Sequence, residues 1–465
     1  MTRASRACLR LANRVATSTQ RYVYFGAVLL AITIFIVYAY YRNHPQVEMY
    51  PDSNGYIAFS GYIMRHGQLV DDLRLPGYPL LMSLIFTLRG REDFAALSVV
   101  QGGMFVLATL EVYVLAALIL RRRWIAFGMG LLVGTNIYLL KYIKPIISDG
   151  LALWLVITLA LAAVIFTQFP RARTLWLVAI LTLALFMTRP EWIYVPVPLV
   201  GSLLLVAARH GVLHRLLPHA VAAVAILYLV LGVYVYRNTV DHGYMGVTRV
   251  QSVNLLGKVL QYRMQDEAPR QYAAVVDAAD AYVARGEVGP WALMAAVPAL
   301  RAHDGALTGV YALAIVTRHP LEFVAKSIPV LFTSSSLGYV DDDFRVISSI
   351  RPDGPFAGLL FALRAISTGT YLTYIVFPLV ATAWLILFLR RRASPPDRPS
   401  VAASEALGIV ALLGLYALVM TTLGGYGDYA RIHTSFDPLV IVVIWATPFV
   451  VVYIWRAHHR KDPAT

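Results

Sequence analysis

An isolated acid, Asp52, follows closely on the first long hydrophobic segment, within the stretch EMYPDSNGYIAFSGYIMRHGQ. Burial next to an apolar surface raises the pKa of a carboxyl group, which suits such a group to accept a proton from a sugar or lipid hydroxyl. The letters PDSNG are also typical of a turn that starts a helix, so Asp52 could instead only cap that helix. The residues themselves leave both interpretations open.

Four basic residues near the ends of later hydrophobic segments have the chemistry of phosphate ligands. Arg189, in MTRPEW, stands before a proline that breaks the chain, and Arg431 follows a glycine-rich break in GGYGDYARIHTSFDP. A guanidinium binds phosphate through paired hydrogen bonds and stabilises a phosphate that departs. Lys141 and Lys144 carry the same charge. For Arg189 and both lysines, contact with lipid headgroups is the alternative.

Further polar and aromatic residues come from separate loops on the same predicted side as Asp52. Acidic and basic groups alternate among these loops, as a shared polar cavity at the membrane surface would require, and aromatic faces suit sugar rings and cations. For this cavity we predict Arg74, Asp149, Glu191, Tyr426, Tyr429 and His433, with Arg237 and Asp428 on the same side.

Several motifs of other enzyme classes are absent. The chain contains no His-Glu-x-x-His, glycine-rich phosphate loop, Gly-x-Ser-x-Gly or Cys/His metal spacing. Their absence argues against zinc proteases, nucleotide-driven pumps and serine hydrolases, and we predict no metal-ligand cluster. Glu111, inside the second hydrophobic segment, is either a functional acid or the partner of an arginine from a neighbouring helix. The single cysteine, Cys8, excludes an intrachain disulfide.

The composition requires a lipid bilayer as the surroundings of this chain. Hydrophobic residues make up 58% of the 465, charged residues make up 14%, and the mean hydropathy is +0.64. A soluble protein of this size could not bury so much apolar surface. The net charge of +14 comes largely from arginines in short loops, a pattern that orients membrane proteins rather than one that binds nucleic acid. We therefore expect an all-α polytopic integral membrane protein that contacts membrane lipids and no nucleic acid.

Nearly uncharged runs predict ten membrane-spanning helices. They are residues 22–41, 94–120, 124–141, 149–168, 174–188, 191–208, 217–236, 366–389, 404–424 and 436–455. With both termini cytoplasmic, this count places every arginine-rich loop inside, as the positive-inside rule requires. These loops contain Arg121–Arg123, Arg171, Arg173, Arg209, Arg215, Arg390–Arg392, Arg456, Arg460 and Lys461. The apolar run 325–338 is expected to lie at the interface or re-enter, unless residues 356–365 pair with it as a second short span, so the range is ten to twelve.

The spans and loops suggest three parts. They are an N-terminal transmembrane module, 1–236, with a first outer loop, 42–93; an outer-face loop region, 237–365; and C-terminal transmembrane helices, 366–465. The stretch 237–320 is too short and broken for a separate soluble domain. In the first outer loop, IAFSGYIMRHG and PLLMSLIFTLRG predict amphipathic helices lying at the interface. Gly130 and Gly134, on the third span, indicate close helix packing.

The N-terminal segment and the absence of sequons favour a bacterial inner membrane. Residues 1–21 contain five arginines and no acid and precede an apolar run, which is the pattern of an uncleaved signal anchor with a cytoplasmic N-terminus. A mitochondrial transit peptide is the alternative. None of the six asparagines lies in an Asn-x-Ser/Thr sequon.

The order of these features resembles the GT-C superfamily of membrane glycosyltransferases. That superfamily includes protein mannosyltransferases that use dolichyl-phosphate mannose, an aminoarabinose transferase of lipid A, and actinobacterial mannosyl- and arabinofuranosyltransferases. The matching pieces are the Asp52 loop with Tyr56, Arg74-x-Pro-Gly-Tyr78-Pro-Leu-Leu, Ser148-Asp149, Thr188-Arg189-Pro190, Tyr236-Arg237-Asn238, Arg318-His319-Pro320 and Tyr429-Ala430-Arg431. Each piece is short, and the resemblance, from about residue 20 to residue 455, depends on their order and their common side.

The resemblance implies a GT-C-type bundle, a polyprenyl-phosphate sugar as donor, and inverting transfer on the outer face to a hydroxyl of a glycan or lipid acceptor. Asp52 would take the proton of that hydroxyl. Arg189 and Arg431, with Lys144 and Lys141 as further candidates, would hold the departing lipid phosphate. Tyr56 and Tyr78 would belong to the substrate cavity.

Two questions stay open from the sequence. Many members of the superfamily carry two acids close together in the first loop, whereas Asp52 stands alone between Glu48 and Asp71-Asp72, so dependence on a divalent metal such as Mg²⁺ or Mn²⁺ is not decided. The competing functions are a secondary transporter or lipid flippase, for which polar broken segments at mid-membrane are typical, and a scaffold that has lost its chemistry.

Overall fold

The structure is a computed structural model, and it describes residues 3–286, 289–301, 306–336, 350–391, 399–427 and 429–459. Throughout these ranges the ordered elements are helices, and no β-strand occurs within them. Because the helices are long and apolar, the chain is an all-α polytopic membrane protein.

The α-helices are numbered here in chain order. The N-terminal half contains α1 Arg3–Asn43, α2 Ser53–His66, α3 Gly77–Arg89, α4 Phe94–Leu120, α5 Arg123–Gly134, α6 Ile137–Ile143, α7 Asp149–Gln168, α8 Ala172–Phe186, α9 Pro196–Arg209 and α10 Leu213–His242. The middle contains α11 Arg249–Gln261, α12 Ala273–Ala284, α13 Pro290–Ala296, α14 Pro298–Arg301, α15 Ala306–Arg318 and α16 Pro320–Ser336. The C-terminal part contains α17 Ala357–Leu372, α18 Phe377–Arg390, α19 Pro399–Gly424, α20 Tyr429–His433 and α21 Asp437–His459.

Seven helical segments of the described chain are long and apolar enough to cross a membrane. They are Gln20–Asn43, Phe94–Leu120, Asp149–Gln168, Leu213–His242, Ala357–Arg390, Ser400–Gly424 and Asp437–Arg456. The predicted third span is a bent pair, α5 and α6, and the predicted fifth and sixth spans are the shorter apolar helices α8 and α9. All ten predicted spans therefore correspond to helices, although three of them are shorter or broken.

The break in the third span corrects the prediction of one continuous helix over 124–141. α5 and α6 meet at 51°, with Asn136 between them. The Asn136 Oδ1 accepts hydrogen bonds from the backbone N–H groups of Tyr138, at 3.0 Å, and Leu139, at 3.3 Å. An asparagine side chain that caps the next helix competes with the backbone of the preceding one, which explains why the span divides here.

Close packing of α5 confirms the expectation for its two glycines. A Cβ atom on Gly130 would lie 2.5 Å from Leu29 Cδ2, and one on Gly134 would lie 2.5 Å from Thr33 Oγ1. Any larger residue would push α5 away from α1, so these glycines serve helix packing.

The prediction that Glu111 pairs with an arginine of a neighbouring helix was wrong. Instead of an arginine, two residues of α7 hold its carboxylate: Trp154 Nε1 donates at 3.2 Å and Thr158 Oγ1 donates at 2.8 Å. The acid therefore joins α4 to α7 inside the bundle, where both oxygens have a donor.

The middle of the chain is more compact than its sequence suggested. Helices α11 to α16 surround a hydrophobic cluster that includes Leu256, Leu260, Tyr311 and Phe323, separate from the cluster of the membrane helices. The run 325–338 belongs to α16 up to Ser336, and the rest of it lies outside the described residues. Residues 357–365 continue into the following span instead of pairing with that run, so the eighth span begins nine residues earlier than predicted, at 357 instead of 366.

Two ends of the bundle differ in chemistry. We call the end that contains Arg121, Arg171, Arg209 and Arg390 the arginine end, and the opposite end, where the first loop lies, the site end. At the site end the two predicted amphipathic segments are helices α2 and α3. Each buries one face, and the other face of α3 exposes the leucines Leu80, Leu84 and Leu88 at helical spacing.

Candidate active site

Acidic and arginine side chains from four loops meet at the site end, because α2, α7 and α21 begin there and α8 ends there. Their contacts form a continuous chain, which we call the ion-pair network. Its members are Asp52, Arg74, Asp149, Arg189, Glu191 and Arg431.

Asp52 lies between two arginines. Arg74 Nη2 donates to Asp52 Oδ1 at 2.8 Å, and Arg431 Nη2 donates to Asp52 Oδ2 at 2.6 Å. Although Asp52 stands at the position that precedes α2, its side chain makes no capping hydrogen bond. The helix-cap interpretation is therefore wrong, since both carboxylate oxygens are used by the arginines.

The direction expected for the pKa of Asp52 was also wrong. Burial raises the pKa of this carboxyl, as expected, but the charges and hydrogen bonds of Arg431 and Arg74 outweigh burial. The pKa of Asp52 consequently lies below its ordinary value of 3.8. In this arrangement Asp52 is an ionised carboxylate of low basicity.

Asp149 and Arg189 form the buried part of the network. The Asp149 side chain is completely buried, and its Oδ1 accepts a hydrogen bond from Arg189 Nη2. Arg189 Nη1 lies 3.5 Å from Glu191 Oε1, and Arg431 Nε lies 3.7 Å from Asp149 Oδ2. Burial lowers the pKa of Arg189, yet Asp149 and Glu191 together raise it above the ordinary value, so the guanidinium stays charged.

The loop that carries Arg189 is shaped by a close backbone contact with the first loop. The Gly77 N–H donates to the Met187 carbonyl at 2.8 Å. A Cβ atom on Gly77 would lie 2.4 Å from Thr188 Oγ1, so only glycine permits this approach. Pro190 then starts a 3₁₀ turn, Pro190–Trp192, that orients Glu191 next to Arg189.

Tyr56 and Tyr78 support Asp52 and Arg74 from inside the protein. The Arg74 guanidinium carbon lies 4.9 Å from the centre of the Tyr56 ring, and the Tyr56 hydroxyl lies 3.0 Å from Ser148 Oγ. Tyr78 is fully buried, contacts Tyr56 edge-on at 5.1 Å, and donates to Gln101 Oε1 at 2.6 Å. Its place in the predicted cavity is therefore beneath Tyr56 rather than on an open surface.

The two lysines predicted as phosphate ligands lie outside the ion-pair network. Lys144 is buried; its Nζ donates to Glu48 Oε1 at 2.9 Å and to the Gln46 carbonyl at 2.6 Å. Lys141 is buried in α6 and lies 4.8 Å from the centre of the Tyr142 ring. Lys144 thus fastens the start of the first loop to the segment before α7, and a role in phosphate binding stays a prediction for both lysines.

A second group, built around Lys258, was not found from the sequence. Lys258, on α11, is fully buried; its Nζ donates to the Tyr429 hydroxyl and lies 4.5 Å from the Tyr429 ring centre and 5.5 Å from that of Tyr262. No carboxylate of the described chain pairs with this amine, and burial lowers its pKa to about 7. The only sequence signal was one lysine in the helical apolar run NLLGKVL.

The aromatic and histidine candidates of the last loop surround Lys258 rather than Asp52. The Tyr426 ring covers Gly257, where a Cβ atom would lie 2.4 Å from its Cγ. The Tyr429 hydroxyl also donates to Gln261 Oε1 at 3.1 Å. His433 is buried, and burial together with the charge of Lys258 lowers its pKa to about 3, so its imidazole is neutral.

Three further candidates lie elsewhere. Arg237 is half-exposed and pairs with Asp241 one helical turn away, at 3.0 Å. His319 Nε2 lies 3.2 Å from Glu267 Oε2 in the middle region. Asp428 lies outside the described residues.

The donor set at Asp52 does not fit a divalent metal. Both oxygens of Asp52 accept hydrogen bonds from arginines, and three guanidinium groups surround the two aspartates, which would repel a cation. Among the residues that the structure describes, no group of three or more His, Cys, Asp or Glu side chains could hold a metal ion.

The network is balanced in charge, with three arginines against three acids. An anion that enters this site must compete with a carboxylate for a guanidinium. When a phosphate takes over an arginine, the carboxylate that it displaces loses a stabilising partner and becomes more basic. The arrangement can therefore couple the binding of a phosphate to the activation of a base.

No protein-family model matches the chain, and no curated protein matches it either. Two solved structures are similar along most of it. One is the archaeal oligosaccharyltransferase AglB from Archaeoglobus fulgidus in complex with an inhibitory peptide and a dolichol-phosphate, with 12% identity and a TM-score of 0.47, covering 95% of this chain and 52% of that one. The other is the Archaeoglobus fulgidus oligosaccharyltransferase in the apo form, with 12% identity and a TM-score of 0.48, covering 96% and 53%.

The chain thus spans about half the length of the solved structures that it matches. Both of those proteins are named as oligosaccharyltransferases. With TM-scores below 0.5 and 12% identity, neither structure assigns an activity or a substrate to this chain.

Proposed function

We propose that this chain is a membrane glycosyltransferase that moves a sugar from a polyprenyl-phosphate donor to a hydroxyl of a glycan or lipid acceptor. The observation that carries the proposal is the position of Arg431, which bonds Asp52 through Nη2 and faces Asp149 through Nε. Arg431 is therefore shared by Asp52, the candidate base, and by Asp149, the buried acid that pairs with Arg189.

The proposed reaction begins when the donor phosphate displaces Asp52 from Arg431. A guanidinium accommodates a phosphate as readily as a carboxylate, because both present paired oxygens. Released from one of its two arginines, Asp52 gains basicity and faces the acceptor hydroxyl. The low pKa of Asp52 then describes the free protein only. When the donor binds Arg431, one of the two arginines that lower this pKa no longer contacts Asp52.

The transfer itself is a single displacement with inversion. Asp52 accepts the proton of the acceptor hydroxyl while that oxygen forms a bond to the anomeric carbon. The bond between the anomeric carbon and the phosphate oxygen breaks, and the polyprenyl phosphate leaves with the electron pair. Arg431 and Arg189 stabilise the charge of the departing phosphate, and holding both substrates at one site supplies much of the acceleration.

Transfer of radiolabelled sugar tests the proposal directly. Purified protein in nanodiscs is supplied with a panel of polyprenyl-phosphate sugars and mixed glycan and lipid acceptors. Transfer from one donor is expected, and Asp52→Asn, which keeps the shape of the side chain, is expected to reduce it by about 10²- to 10⁴-fold. Asp241→Asn is the matched control, since Asp241 pairs at the surface with the half-exposed Arg237 and with Gln68, away from the network.

Transfer at the wild-type rate by Asp52→Asn would show that Asp52 is not the base. If the folded protein shows neither sugar transfer nor donor hydrolysis with any donor of the panel, the proposal that it is a glycosyltransferase is contradicted. Separate folding checks by size-exclusion chromatography distinguish loss of chemistry from loss of structure.

One observation favours a transporter or flippase as the second candidate. Helices α5 and α6 form a broken span, and broken spans line the substrate paths of many secondary transporters. Movement of a polyprenyl-phosphate sugar across vesicles that contain the protein, without transfer, would support this candidate.

A further inference from the structure

A cavity lies at the arginine end of the bundle, on the opposite side from the ion-pair network. It has a volume of about 630 Å³ and lies between the end of α4, the start of α5 and the end of α21. Its lining includes Arg121, Arg122 and Arg456, together with the apolar side chains of Ile125, Phe449 and Val452. The lining of the cavity therefore combines cationic and apolar side chains.

The three arginines of this cavity differ from others at the same end. Arg209 is buried, and it bonds Glu405 at 3.2 Å and the Phe388 carbonyl. The side chains of Arg121, Arg122 and Arg456, by contrast, make no ion pair or hydrogen bond with any residue that the structure describes, and the cavity lining contains no acid. Three cations around one cavity, with no acid of the described chain beside them, produce a local potential that attracts an anion.

The apolar wall restricts what kind of anion would fit. Phe449 and Val452, on α21, are almost half-exposed, as expected for side chains that face acyl chains beside a membrane helix. Inorganic anions would gain nothing from this wall, whereas a phospholipid would place its headgroup at the arginines and an acyl chain along α21. Basic pockets between membrane helices bind acidic headgroups by this combination of charge and apolar contact.

The backbone at Arg121 provides a second, independent observation. Arg121 follows the last residue of α4 and has φ +53°, in the left-handed region where glycine is the usual residue. For a residue with a Cβ atom this conformation is strained. Glycine would remove the strain, but it would also remove one of the three guanidinium groups from the cavity.

From the cavity, its three guanidinium groups, which pair with no residue of the described chain, and its apolar wall, we propose that this site binds an anionic phospholipid of the leaflet at the arginine end. Arg121, Arg122 and Arg456 bind the phosphate, and the apolar wall of α21 packs against an acyl chain. This site is separate from the ion-pair network, and the proposal does not depend on the proposed transferase activity.

Lipid-dependent thermal stability tests the site without any assay of activity. Delipidated protein in detergent is heated with added phosphatidylglycerol, with phosphatidylcholine, or with inorganic phosphate, and the unfolding temperature is measured. We expect phosphatidylglycerol to raise it by several degrees and the other two additions to leave it nearly unchanged. The variant with Arg121→Gln, Arg122→Gln and Arg456→Gln is expected to lose most of the rise.

A triple variant at the same end is the matched control. Arg171→Gln, Arg173→Gln and Arg215→Gln removes three exposed arginines that do not line the cavity, so it is expected to keep the rise. Arg121→Gly is a further variant: it is expected to unfold at a temperature no lower than the wild type without lipid, yet to bind phosphatidylglycerol several-fold more weakly. This combination separates lipid binding from folding.

The proposal is overturned by any of three results. They are equal stabilisation by phosphatidylcholine, an equal rise with inorganic phosphate alone, and equal loss of the rise in both triple variants. The first would mean general solvation by lipid, the second a site for free anions, and the third a diffuse effect of charge.

Discussion

At the scale of single residues, the neighbours of Asp52 decide its chemistry. The sequence identifies a lone acid in the right loop and predicts a raised pKa from burial alone. The structure adds Arg74, 22 residues away, and Arg431, 379 residues away, and these two cations reverse the direction. The apolar residues near Asp52 in the sequence predict its burial. Its contacts with arginines that are distant in the chain can be identified only from the folded structure.

The shared arginine predicts different pH dependences for free and donor-bound protein. In the free protein, the pKa of Asp52 is below its ordinary value, so the carboxylate stays ionised as the pH falls past that value. When the donor occupies Arg431, the pKa of Asp52 rises. The acid limb of kcat/KM, which reports the free protein, is therefore expected at lower pH than the acid limb of kcat. Rates of sugar transfer measured across the acidic range give both limbs.

If the acid limbs of kcat/KM and kcat lie at the same pH, the donor phosphate and Asp52 do not compete for Arg431. Asp241→Asn is expected to shift neither limb, since that acid pairs at the surface away from the network.

A second prediction concerns Lys258 and the stability of the fold. Because burial lowers its pKa from 10.5 to about 7, the unfolded chain binds more protons than the folded chain between these two values. The free energy of unfolding should therefore increase with pH from neutral to about pH 9.5, below the ordinary titration of tyrosine, by an amount on the order of a few kcal/mol. Unfolding temperatures of the wild type and Lys258→Met across this range measure the effect.

In Lys258→Met the increase with pH should be largely lost, and the variant should be more stable than the wild type at neutral pH. Lys326→Met is the control, because Lys326 is partly exposed and pairs with Glu322 at 2.7 Å. Parallel pH profiles for the wild type and Lys258→Met would show that the amine is already charged in the folded protein at high pH.

At the scale of elements, the site depends on a contact between two turns. The Pro-Gly-Tyr-Pro segment, which forms the turn into α3 and its first residues, touches the end of α8 through the Gly77 N–H and the Met187 carbonyl. This contact joins the segment that follows Arg74 to the segment that precedes Arg189, and so helps to position both arginines in the ion-pair network. The sequence identified both turns as matching pieces, but nothing in it indicated that one lies against the other.

Gly77→Ala is therefore expected to disturb the site through its shape. The added Cβ would lie 2.8 Å from the Met187 carbonyl oxygen and closer still to Thr188 Oγ1, so the two turns must separate. We expect the substitution to destabilise the fold by about 1–3 kcal/mol and to lower transfer by more than that loss of folded protein explains. Denaturation and transfer assays on the same preparation measure both effects.

Gly201→Ala is the matched control, since nothing lies within 4 Å of a Cβ at this position in α9. Alanine there is expected to be neutral or to stabilise the helix by about 0.4–1 kcal/mol. If both substitutions have the same effect, the contact between the turns does not position the site.

The helices themselves follow from the sequence to different degrees. Long apolar runs predicted the spans of α4, α7 and α19 closely, because hydropathy over twenty residues is a strong signal. The break at Asn136 was missed, because it depends on a capping side chain rather than on hydropathy, and the early start of α17 was missed as well.

At the scale of the whole molecule, charge is divided between the two ends of the bundle. The ion-pair network and Lys258 lie at the site end, and the arginines that line the cavity between α4, α5 and α21 lie at the arginine end. The positive-inside rule then predicts that the site end faces away from the cytoplasm.

Labelling of single cysteines tests this orientation. In a Cys8→Ser background, Glu92→Cys lies in an exposed loop at the site end, and Arg173→Cys lies at the arginine end. A membrane-impermeant maleimide should label the first in intact cells and the second only after permeabilisation. The reverse pattern would invert the topology and place the network in the cytoplasm.

The sequence alone determined the all-α membrane class, the approximate positions of the spans and the loops that contain the candidate acids and arginines. These depend on composition and on charges near segment ends, which are local properties of the chain. Only the tertiary structure decided that Asp52 is held by two arginines, that Lys144 is paired with Glu48, and that Lys258 is buried beside Tyr429. Ion pairing and burial depend on which distant segments meet, and that is a property of the fold as a whole.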